Sequence, residues 1–297
     1  MNRYLKGSLL VIISALIYGS MPIVAKMIYR HGVNTVSLVF YRNFFAILPL
    51  FFWVKRRGED IRFDRNSILP IAFLTLFGGA FTPMLLFASY QYISSGVATT
   101  VHFIYPVFVL LGCTLFFKEP LSLTKSICVG LCTAGILCFY TPGGQTSLLG
   151  LALSFSSGIT FAVYVIGLNK LTTLKGMSAV QLSFYMSIIC SAVLLVALLA
   201  TKTLTFPDSA QVWFLCAIFA LTVTLGATVC FQTGAFIVGS QRAAILSTFE
   251  PIASIVLGIV ALQEPFGIFT AIGSALILAA VLLLTIWDRK AIEIDNS

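Results

Sequence analysis

The sequence has very few charged residues for its length. Charged side chains make up 9% of the 297 residues, whereas soluble domains contain about 25%. Hydrophobic residues make up 59%, and the mean hydropathy is +1.02. A chain of this size cannot cover a water-exposed surface with so few charges. These values exclude a soluble enzyme, a disordered chain and a nucleic-acid-binding protein.

The sequence also lacks the signatures of catalytic and metal sites. It contains no H-E-x-x-H, G-x-S-x-G or Walker motif, and it has only two histidines. All seven cysteines fall within apolar stretches, so no extracellular disulfide framework is expected. We interpret Cys128 and Cys132 as small packing residues rather than as metal ligands. We therefore expect a protein that is not an enzyme, with no catalytic residues, no metal and no cofactor.

Apolar runs long enough to cross a membrane fill most of the chain. A spanning helix needs about 20 mostly apolar residues. Ten such segments are predicted, at 7–28, 34–54, 67–92, 96–117, 122–140, 147–169, 178–201, 211–238, 241–262 and 266–287. A membrane barrel would instead show alternating segments of about ten residues, and the sequence has none. The predicted fold class is an all-α integral membrane protein with ten transmembrane helices.

Lysine and arginine residues are distributed unevenly between the two ends of these spans. With the N-terminus in the cytoplasm, 14 of the 18 Lys and Arg residues lie on the cytoplasmic side. The apolar run after Arg3 and Lys6 is too long for a signal peptide and lacks a cleavage site, so it is expected to stay as the first span. The sequence therefore predicts a multi-pass protein of the cell (inner) membrane with both termini in the cytoplasm.

A motif in the first half of the chain recurs 145 residues later. The matching residues are Ser95, Pro106, Glu119 and Pro120 in the first half, and Ser240, Pro251, Glu264 and Pro265 in the second. Each half then contains five spans, and because five is an odd number the second half must lie inverted in the bilayer. Inverted repeats are typical of secondary transporters. The two predicted units are residues 1–142 and 147–290.

Several short motifs of this chain resemble those of the EamA family, which belongs to the drug/metabolite transporter superfamily. They are Ile104-Tyr105-Pro106 to Phe117-Lys118-Glu119-Pro120, Phe249-Glu250-Pro251 to Leu262-Gln263-Glu264-Pro265, Tyr18-Gly19-Ser20 followed by Lys26, and Tyr41-Arg42-Asn43. The resemblance implies ten helices around a central cavity. It also implies transport of a small metabolite, which in this family is often the export of an amino acid.

Charged or ionisable side chains inside predicted spans are candidates for function, because a charge there costs at least about 2.5–3.5 kcal/mol. Glu250 is interpreted as a proton carrier or a ligand for a substrate amine, or else as a structural acid paired with a neighbour such as Arg42. Arg42 would bind a substrate carboxylate, or else form a structural ion pair or extend to the membrane surface. His102 is either a pH-responsive or a structural residue. Lys26 is expected to extend to the interface, with gating as the alternative.

The repeat directs some of these residues toward one centre. Under the 145-residue offset, His102 corresponds to Ser247 and Tyr105 to Glu250. Pro106 and Pro251 also correspond, and we predict that they act as hinges, because proline removes a backbone hydrogen bond from its helix. Other polar or aromatic side chains that could line a cavity are Tyr18, Tyr90, Gln91, Tyr164 and Gln232.

Taken together, these patterns favour a secondary active transporter that moves a small metabolite, such as an amino acid or a related compound, by alternating access. The expected partners are a small-molecule substrate and the lipid bilayer, with protons as a candidate coupling ion and no nucleic acid. Export is implied by the resemblance alone. A channel or an integral membrane enzyme is the alternative.

Overall fold

The described part of the chain is built from helices alone. The computed structural model describes residues 3–59, 61, 65–117, 123–139, 147–171, 176–238, 243 and 246–295, and these ranges contain no strand. The motif residues Glu119, Pro120 and Ser240 lie outside them. The helices are α1 Arg3–Tyr29, α2 Thr35–Arg56, α3 Arg65–Leu74, π1 Thr75–Phe81, α4 Thr82–Ser89, α5 Ser95–His102, α6 Tyr105–Phe117, α7 Leu123–Phe139, α8 Leu148–Lys170, α9 Ala179–Ala200, α10 Ala210–Ala220, π2 Leu221–Thr228, α11 Val229–Val238, α12 Phe249–Leu262 and α13 Ile268–Asp295.

Within those ranges, seven helical stretches are long and apolar enough to cross a membrane. They are Arg3–Tyr29, Thr35–Arg56, Arg65–Ser89, Ser95–Phe116, Leu148–Leu168, Ala179–Ala200 and Ala210–Val238. Three further helical stretches are apolar but shorter, at Ser126–Phe139, Phe249–Leu262 and Ile268–Leu283. The predicted all-α membrane fold is therefore confirmed for the described residues, and the count of ten spans stays a prediction. The segment predicted at 241–262 is a continuous helix only from Phe249 onward.

The connecting segments that the structure describes lie at two opposite ends of the molecule. We call one the Asn34 end, formed by residues 29–35, 89–95, 200–209 and 263–267. There the Asn34 backbone N–H donates to Thr205 Oγ1 at 2.9 Å. The other, the Arg57 end, includes residues 56–59, 61 and 176–178. There Glu59 pairs with Arg57 at 2.8 Å and accepts a hydrogen bond from Ser178 Oγ at 2.6 Å.

Two spans are interrupted at positions that the 145-residue offset relates to within one residue. The helix α5 ends at His102, a turn occupies 103–104, and α6 begins at Tyr105. In the second half a turn occupies 247–248, directly before α12. Each turn precedes a proline, Pro106 or Pro251, which has no N–H to donate and which crowds the carbonyl four residues earlier. The matching prolines thus account for the matching interruptions.

Two other spans contain π-helical segments at related positions. The offset places 75–81, the residues of π1, on 220–226, nearly the range of π2. A threonine follows or closes each segment, and its hydroxyl donates to the carbonyl five residues earlier. Thr82 donates to Phe77 O at 2.7 Å, and Thr228 donates to Val223 O at 3.1 Å. Such π segments occur frequently at functional sites.

Glycines allow close packing between the two halves of the chain. A Cβ on Gly7 of α1 would lie 2.7 Å from the Val238 side chain, and a Cβ on Gly150 of α8 would lie 2.7 Å from Ile93. Val238 and Ile93 are themselves 145 residues apart. The first helix of each half therefore packs on the end of the third span of the other half, which brings spans from both halves around one central space.

The helices α7 and α13 pack on each other, to the side of that space. A Cβ on Gly135 would lie 2.8 Å from Gly273 O, and a Cβ on Gly273 would lie 2.7 Å from Gly135 O. Small residues at such a crossing let the two backbones approach closely. Among the residues of α7 and α13 whose side chains the structure describes, none lines the central cavity.

Candidate functional site

A cavity with a volume of about 90 Å³ lies between helices from both halves, at the middle of the spans. Since one water needs about 10–15 Å³ by this measure, the cavity has room for several water-sized groups. It brings together seven of the eight residues that the sequence predicted for substrate binding or coupling. These are Tyr18, Arg42, His102, Tyr105, Tyr164, Ser247 and Glu250.

Arg42 lies in the cavity wall on α2. Its Nε donates to Thr224 Oγ1 at 3.4 Å, and its guanidinium carbon lies 5.9 Å from the centre of the Phe87 ring. The ion pairs among the described residues are Lys26–Glu264, His31–Asp208 and Arg57–Glu59. The predicted alternative of a structural ion pair for Arg42 is therefore wrong, since none of these pairs among the described residues includes Arg42. The charge is held by a hydroxyl and an aromatic ring, and it remains available to an anion.

Glu250 lies at the start of α12, on another wall of the same cavity. No ion pair within 4.0 Å and no side-chain hydrogen bond occupies its carboxyl group among the described residues. The predicted alternative of a pair with Arg42 is accordingly wrong for this structure. Gly19 makes room for this helix, since a Cβ there would lie 2.7 Å from Glu250 O. Among the described residues that line it, the cavity thus has one cation, Arg42, and one acid, Glu250, which form no ion pair with each other.

His102 lies at the end of α5, and its ring is buried beside Tyr105 and Phe161. Its Nδ1 is 2.8 Å from Ser157 Oγ, and the Ser157 hydroxyl donates to Ser154 O at 2.6 Å. A serine hydroxyl has a single hydrogen, so the hydrogen of the first bond belongs to His102 Nδ1. Neutral His102 then has Nε2 as an acceptor, and no hydrogen bond to a described residue occupies it. Nδ1 thus has a structural hydrogen bond, whereas Nε2 has none to a described residue and can accept one in the cavity.

A series of hydrogen bonds between side chains crosses the cavity wall from α8 to α9. Gln232 Nε2 donates to Tyr164 OH at 3.1 Å, and Gln232 Oε1 accepts from Ser183 Oγ at 3.3 Å. Both ends of the Gln232 amide are thus fixed, which assigns its orientation. Tyr164 is thereby held with its phenol oxygen toward Gln232. These hydrogen bonds give the cavity wall a polar surface on which the positions of the donors and acceptors are fixed.

Tyr18 connects the first span to π2. Its hydroxyl is 2.8 Å from Thr228 Oγ1, and Thr228 already donates to Val223 O. Tyr18 is therefore the donor in this pair, and its oxygen keeps acceptor capacity on the cavity side. In the other half, Thr82 beside π1 lies 2.8 Å from Thr160 on α8. Each π segment is thus linked by a threonine to the first helix of the other half.

Three sequence-based placements need correction. Gln91 does not line the cavity, because α4 ends at Ser89 and Gln91 is exposed in the following turn, where its amide donates to Thr35 Oγ1 at 2.8 Å. Tyr90 is buried against Phe87 outside the cavity lining. Lys26 does not simply extend to the interface, since its Nζ lies 2.6 Å from Glu264 Oε1.

The predicted hinge residues lie next to the cavity rather than in its wall. Pro106 is half-buried and Pro251 is buried, and each follows one of the matched turns. The hinge role stays a prediction. Gln232, which the sequence indicated as a cavity candidate, does line the wall.

Sequence reasoning missed several hydroxyl residues of the cavity. Ser183 and Ser187 on α9 are four residues apart, and so are Thr224 and Thr228 at π2. A spacing of four places two side chains on one helix face. Pairs of hydroxyl residues at this spacing inside an apolar span were the signal that could have identified them.

Comparison with known proteins agrees with this architecture. The model of the EamA-like transporter family matches residues 5–141 and again 148–286. A crystal structure that is 15% identical in sequence superposes with a TM-score of 0.69, covering 95% of this chain and 98% of the other. At that level of identity, the likeness concerns the fold alone.

Related sequences carry transporter names. An uncharacterized transporter of Synechocystis is 29% identical over 68% of this chain and 62% of its own length. The uncharacterized inner membrane transporter YicL of Salmonella typhimurium is 24% identical over 96% of this chain and 97% of its own length. Family and relatives point to a membrane transporter rather than an enzyme, and the two family matches span nearly the whole sequence. The chain therefore belongs to the EamA-like transporter family.

Proposed function

We propose that this protein is a secondary active transporter for a small zwitterionic metabolite, an amino acid or a related compound. The observation that carries the proposal is the pair Arg42 and Glu250, two opposite charges that line one cavity without pairing with each other. A guanidinium suits bidentate binding of a carboxylate, and a carboxylate accepts hydrogen bonds from an ammonium group. The rings of Tyr18, Tyr105 and Phe161 offer apolar surface to the rest of the substrate.

We also propose that residues 1–142 and 147–290 form two inverted units of five helices, which exchange the side on which the cavity opens. The two family matches, the matched interruptions and the crossed threonine contacts support this arrangement. Alternating access follows from such units, because each can adopt the conformation of the other. The bias of Lys and Arg supports cytoplasmic termini. Export is the proposed direction, on the family resemblance.

The zwitterion proposal can be tested by comparing three ligands that differ in charge. Each amino acid in a panel is assayed with its decarboxylated amine and its deaminated acid, by thermal stabilisation of the purified protein. We expect the wild type to prefer the zwitterion, Arg42→Ala to lose the preference over the amine, and Glu250→Gln to lose the preference over the acid. A charged hydrogen bond contributes about 1.5–3 kcal/mol, so each loss should be roughly 10- to 150-fold in Kd.

Gln91→Ala is the matched control, because Gln91 is a polar residue outside the cavity, and its selectivity should equal that of the wild type. At 100 times Kd a ligand stabilises the folded state by about 2.7 kcal/mol, which is readily detected. Equal losses for all three ligands in both variants would contradict the assignment of the two charges. No stabilisation by any zwitterion would contradict the substrate class.

Glu250 is also the proposed group for proton coupling. In proteoliposomes with saturating substrate, we expect a pH gradient to accelerate wild-type transport severalfold. The Glu250→Gln variant should transport down a substrate gradient without responding to the pH gradient, because glutamine cannot carry the proton. A variant with the full pH response would contradict this role. A wild type without any pH response would contradict proton coupling altogether.

A further inference from the structure

Glu264 joins three helices at the Asn34 end. Its Oε1 lies 2.6 Å from Lys26 Nζ on α1. Its Oε2 accepts from the Ser95 backbone N–H at 2.8 Å and from Ser95 Oγ at 2.6 Å, at the start of α5. Gly258 of α12 leaves the space for this carboxylate, since a Cβ there would lie 2.6 Å from Oε2. Both oxygens of Glu264 are therefore used to hold α12 against α1 and α5.

The same three helices meet again between this network and the cavity. Thr99 Oγ1 of α5 lies 2.9 Å from Ser254 Oγ of α12, and both residues are buried. Further inward, a Cβ on Gly19 of α1 would lie 2.7 Å from Ala253 of α12. These contacts form successive layers. We call the set the α1–α5–α12 junction, and its members are Gly19, Lys26, Ser95, Thr99, Ser254 and Glu264.

The junction lies between the substrate cavity and the Asn34 end. Lys26 is eight residues, or about 12 Å of helix, beyond Tyr18, which lines the cavity. Ser95 is seven residues, or about 10 Å, before His102, which also lines it. The third helix, α12, carries Glu250 at its cavity end. A ligand that left the cavity toward the Asn34 end along these helices would have to separate them.

The rim of the junction is suited to reversible opening. The side chains of Lys26 and Glu264 are 23% and 11% exposed, so the pair lies at the edge of water rather than deep inside. When one member of a fully buried ion pair moves away, the other is left as a buried charge without a partner, which is strongly unfavourable. At the edge, water can replace the partner of each group as the helices part. The inner layers consist of hydroxyls and small residues, which present little steric obstruction.

We propose that the α1–α5–α12 junction is the gate that closes the cavity toward the Asn34 end, with Lys26, Glu264 and Ser95 as its latch. The inference rests on the proposed transport by alternating access. Opening moves α12 away from α1 and α5, and Glu264 exchanges its three protein contacts for water. Because Glu264 lies two residues after the end of α12 and Glu250 lies in the first turn of that helix, a movement of α12 that opens the gate also shifts the acidic wall of the cavity.

A first test measures access to the cavity directly and needs no substrate. Ser187, a buried residue of the cavity wall, is replaced by cysteine in a background from which the seven native cysteines have been removed. A membrane-impermeant thiol reagent is then applied to sealed membranes of each orientation. We expect Glu264→Gln and Lys26→Met to raise the labelling rate from the Asn34 end about tenfold, which corresponds to about 1.4 kcal/mol of population shift.

Glu59→Gln is the matched control for that measurement. Glu59 also pairs with a cation and accepts a bond of 2.6 Å from a serine hydroxyl, but it does so at the Arg57 end. Its loss should leave labelling from the Asn34 end unchanged. Unchanged labelling in both latch variants, with melting temperatures close to that of the wild type, would overturn the gate.

A second test holds the junction closed and remains informative even if a latch variant does not fold. Thr99→Cys with Ser254→Cys, in the same cysteine-free background, places two thiols where two oxygens are 2.9 Å apart. Oxidation should stop transport, and a reductant should restore it, whereas each single variant should be insensitive to the oxidant. Undiminished transport by the disulfide-linked protein would overturn the gate. A wild type that transports nothing would contradict the proposed function alone, since the labelling test still reports on the gate.

Discussion

His102 shows how a single hydrogen bond sets the chemistry of a residue in the cavity. The Ser157 hydroxyl accepts from Nδ1 because its own hydrogen is donated to Ser154 O. This arrangement fixes the tautomer and turns the acceptor nitrogen away from Ser157. Because the His102 ring is buried away from bulk water, water does not readily replace the hydrogen-bond acceptor if Ser157 is lost. The serine is therefore a positioning residue for His102.

We predict that Ser157→Ala lowers the stability of the folded protein. The buried Nδ1–H then has no acceptor, and an unsatisfied buried donor costs about 1–3 kcal/mol. The free energy of unfolding in detergent, from denaturant or thermal titration, is the appropriate measurement. Thr133→Ala is the control, because the exposed Thr133 hydroxyl donates to its own helix at Val129 O, and its loss should cost little. Equal effects of the two substitutions would contradict the assigned bond.

Which polar residues face the cavity could largely be predicted from the sequence, because a polar group in an apolar span avoids lipid. Arg42, His102 and Glu250 follow this rule. Gln91 does not, since it lies where the span has already ended and water is available. The partners of charged residues could not be predicted in the same way. Lys26 and Glu264 are separated by 238 residues, and their meeting depends on how distant helices pack.

At the scale of elements, the contact between α1 and α12 depends on the absence of a side chain at Gly19. A Cβ there would lie 2.7 Å from both Ala253 Cβ and Glu250 O, and the second of these is backbone that cannot rotate away. We predict that Gly19→Ala destabilises the protein by about 1–3 kcal/mol, because overpacking forces the helices apart. The shift should be measured as a change in melting temperature.

Gly130→Ala provides the comparison for that substitution. Gly130 lies in α7 with no other group within 4 Å of the added Cβ. Alanine is favoured over glycine within a helix by about 0.8–1 kcal/mol, so the melting temperature should hold or rise. A destabilisation of the same size at both positions would show that α1 and α12 are not packed as closely as described.

The π segments mark the limit of what the sequence pattern could predict for these elements. Hydrophobicity placed the third and eighth spans within a few residues of the observed helices, at 67–92 and 211–238. Hydrophobicity carries no information about whether backbone hydrogen bonds span four residues, as in an α-helix, or five, as in a π-helix. The same residues are apolar in both cases. Thr82 and Thr228 form the distinguishing bonds, and a lone threonine in a span is also compatible with a regular helix.

For the whole molecule, the arrangement of the two ends predicts which loops are accessible from each side of the membrane. Ala210 is exposed at the Asn34 end, and Arg65 is exposed near the Arg57 end. In the cysteine-free background, we expect Ala210→Cys to react with an impermeant thiol reagent from outside the cell. Arg65→Cys should react only after the membrane is opened. Labelling of both from the same side would contradict the proposed orientation.

The overall architecture was accessible from the sequence because long apolar runs and their loops determine it. Each predicted segment overlaps at least one described helix, and the matched prolines gave the register of the repeat. The depth of the cavity and the junction proposed to close it could not be obtained from the sequence, since they depend on small residues such as Gly19 and Gly258. A glycine in an apolar run looks the same whether it faces lipid or another helix.

The crossed packing of the two halves has a consequence for biosynthesis. The helix α1 is made before the helices on which it packs, since its principal neighbours are α11 and α12, more than 200 residues later in the sequence. It also packs on π2, where Ser14 of α1 donates to Ala227 O. Until those helices are made, the face of α1 that packs on them has only lipid or insertion machinery to contact. A chain interrupted before α11 thus presents an unfinished surface by which the cell can recognise it as incomplete.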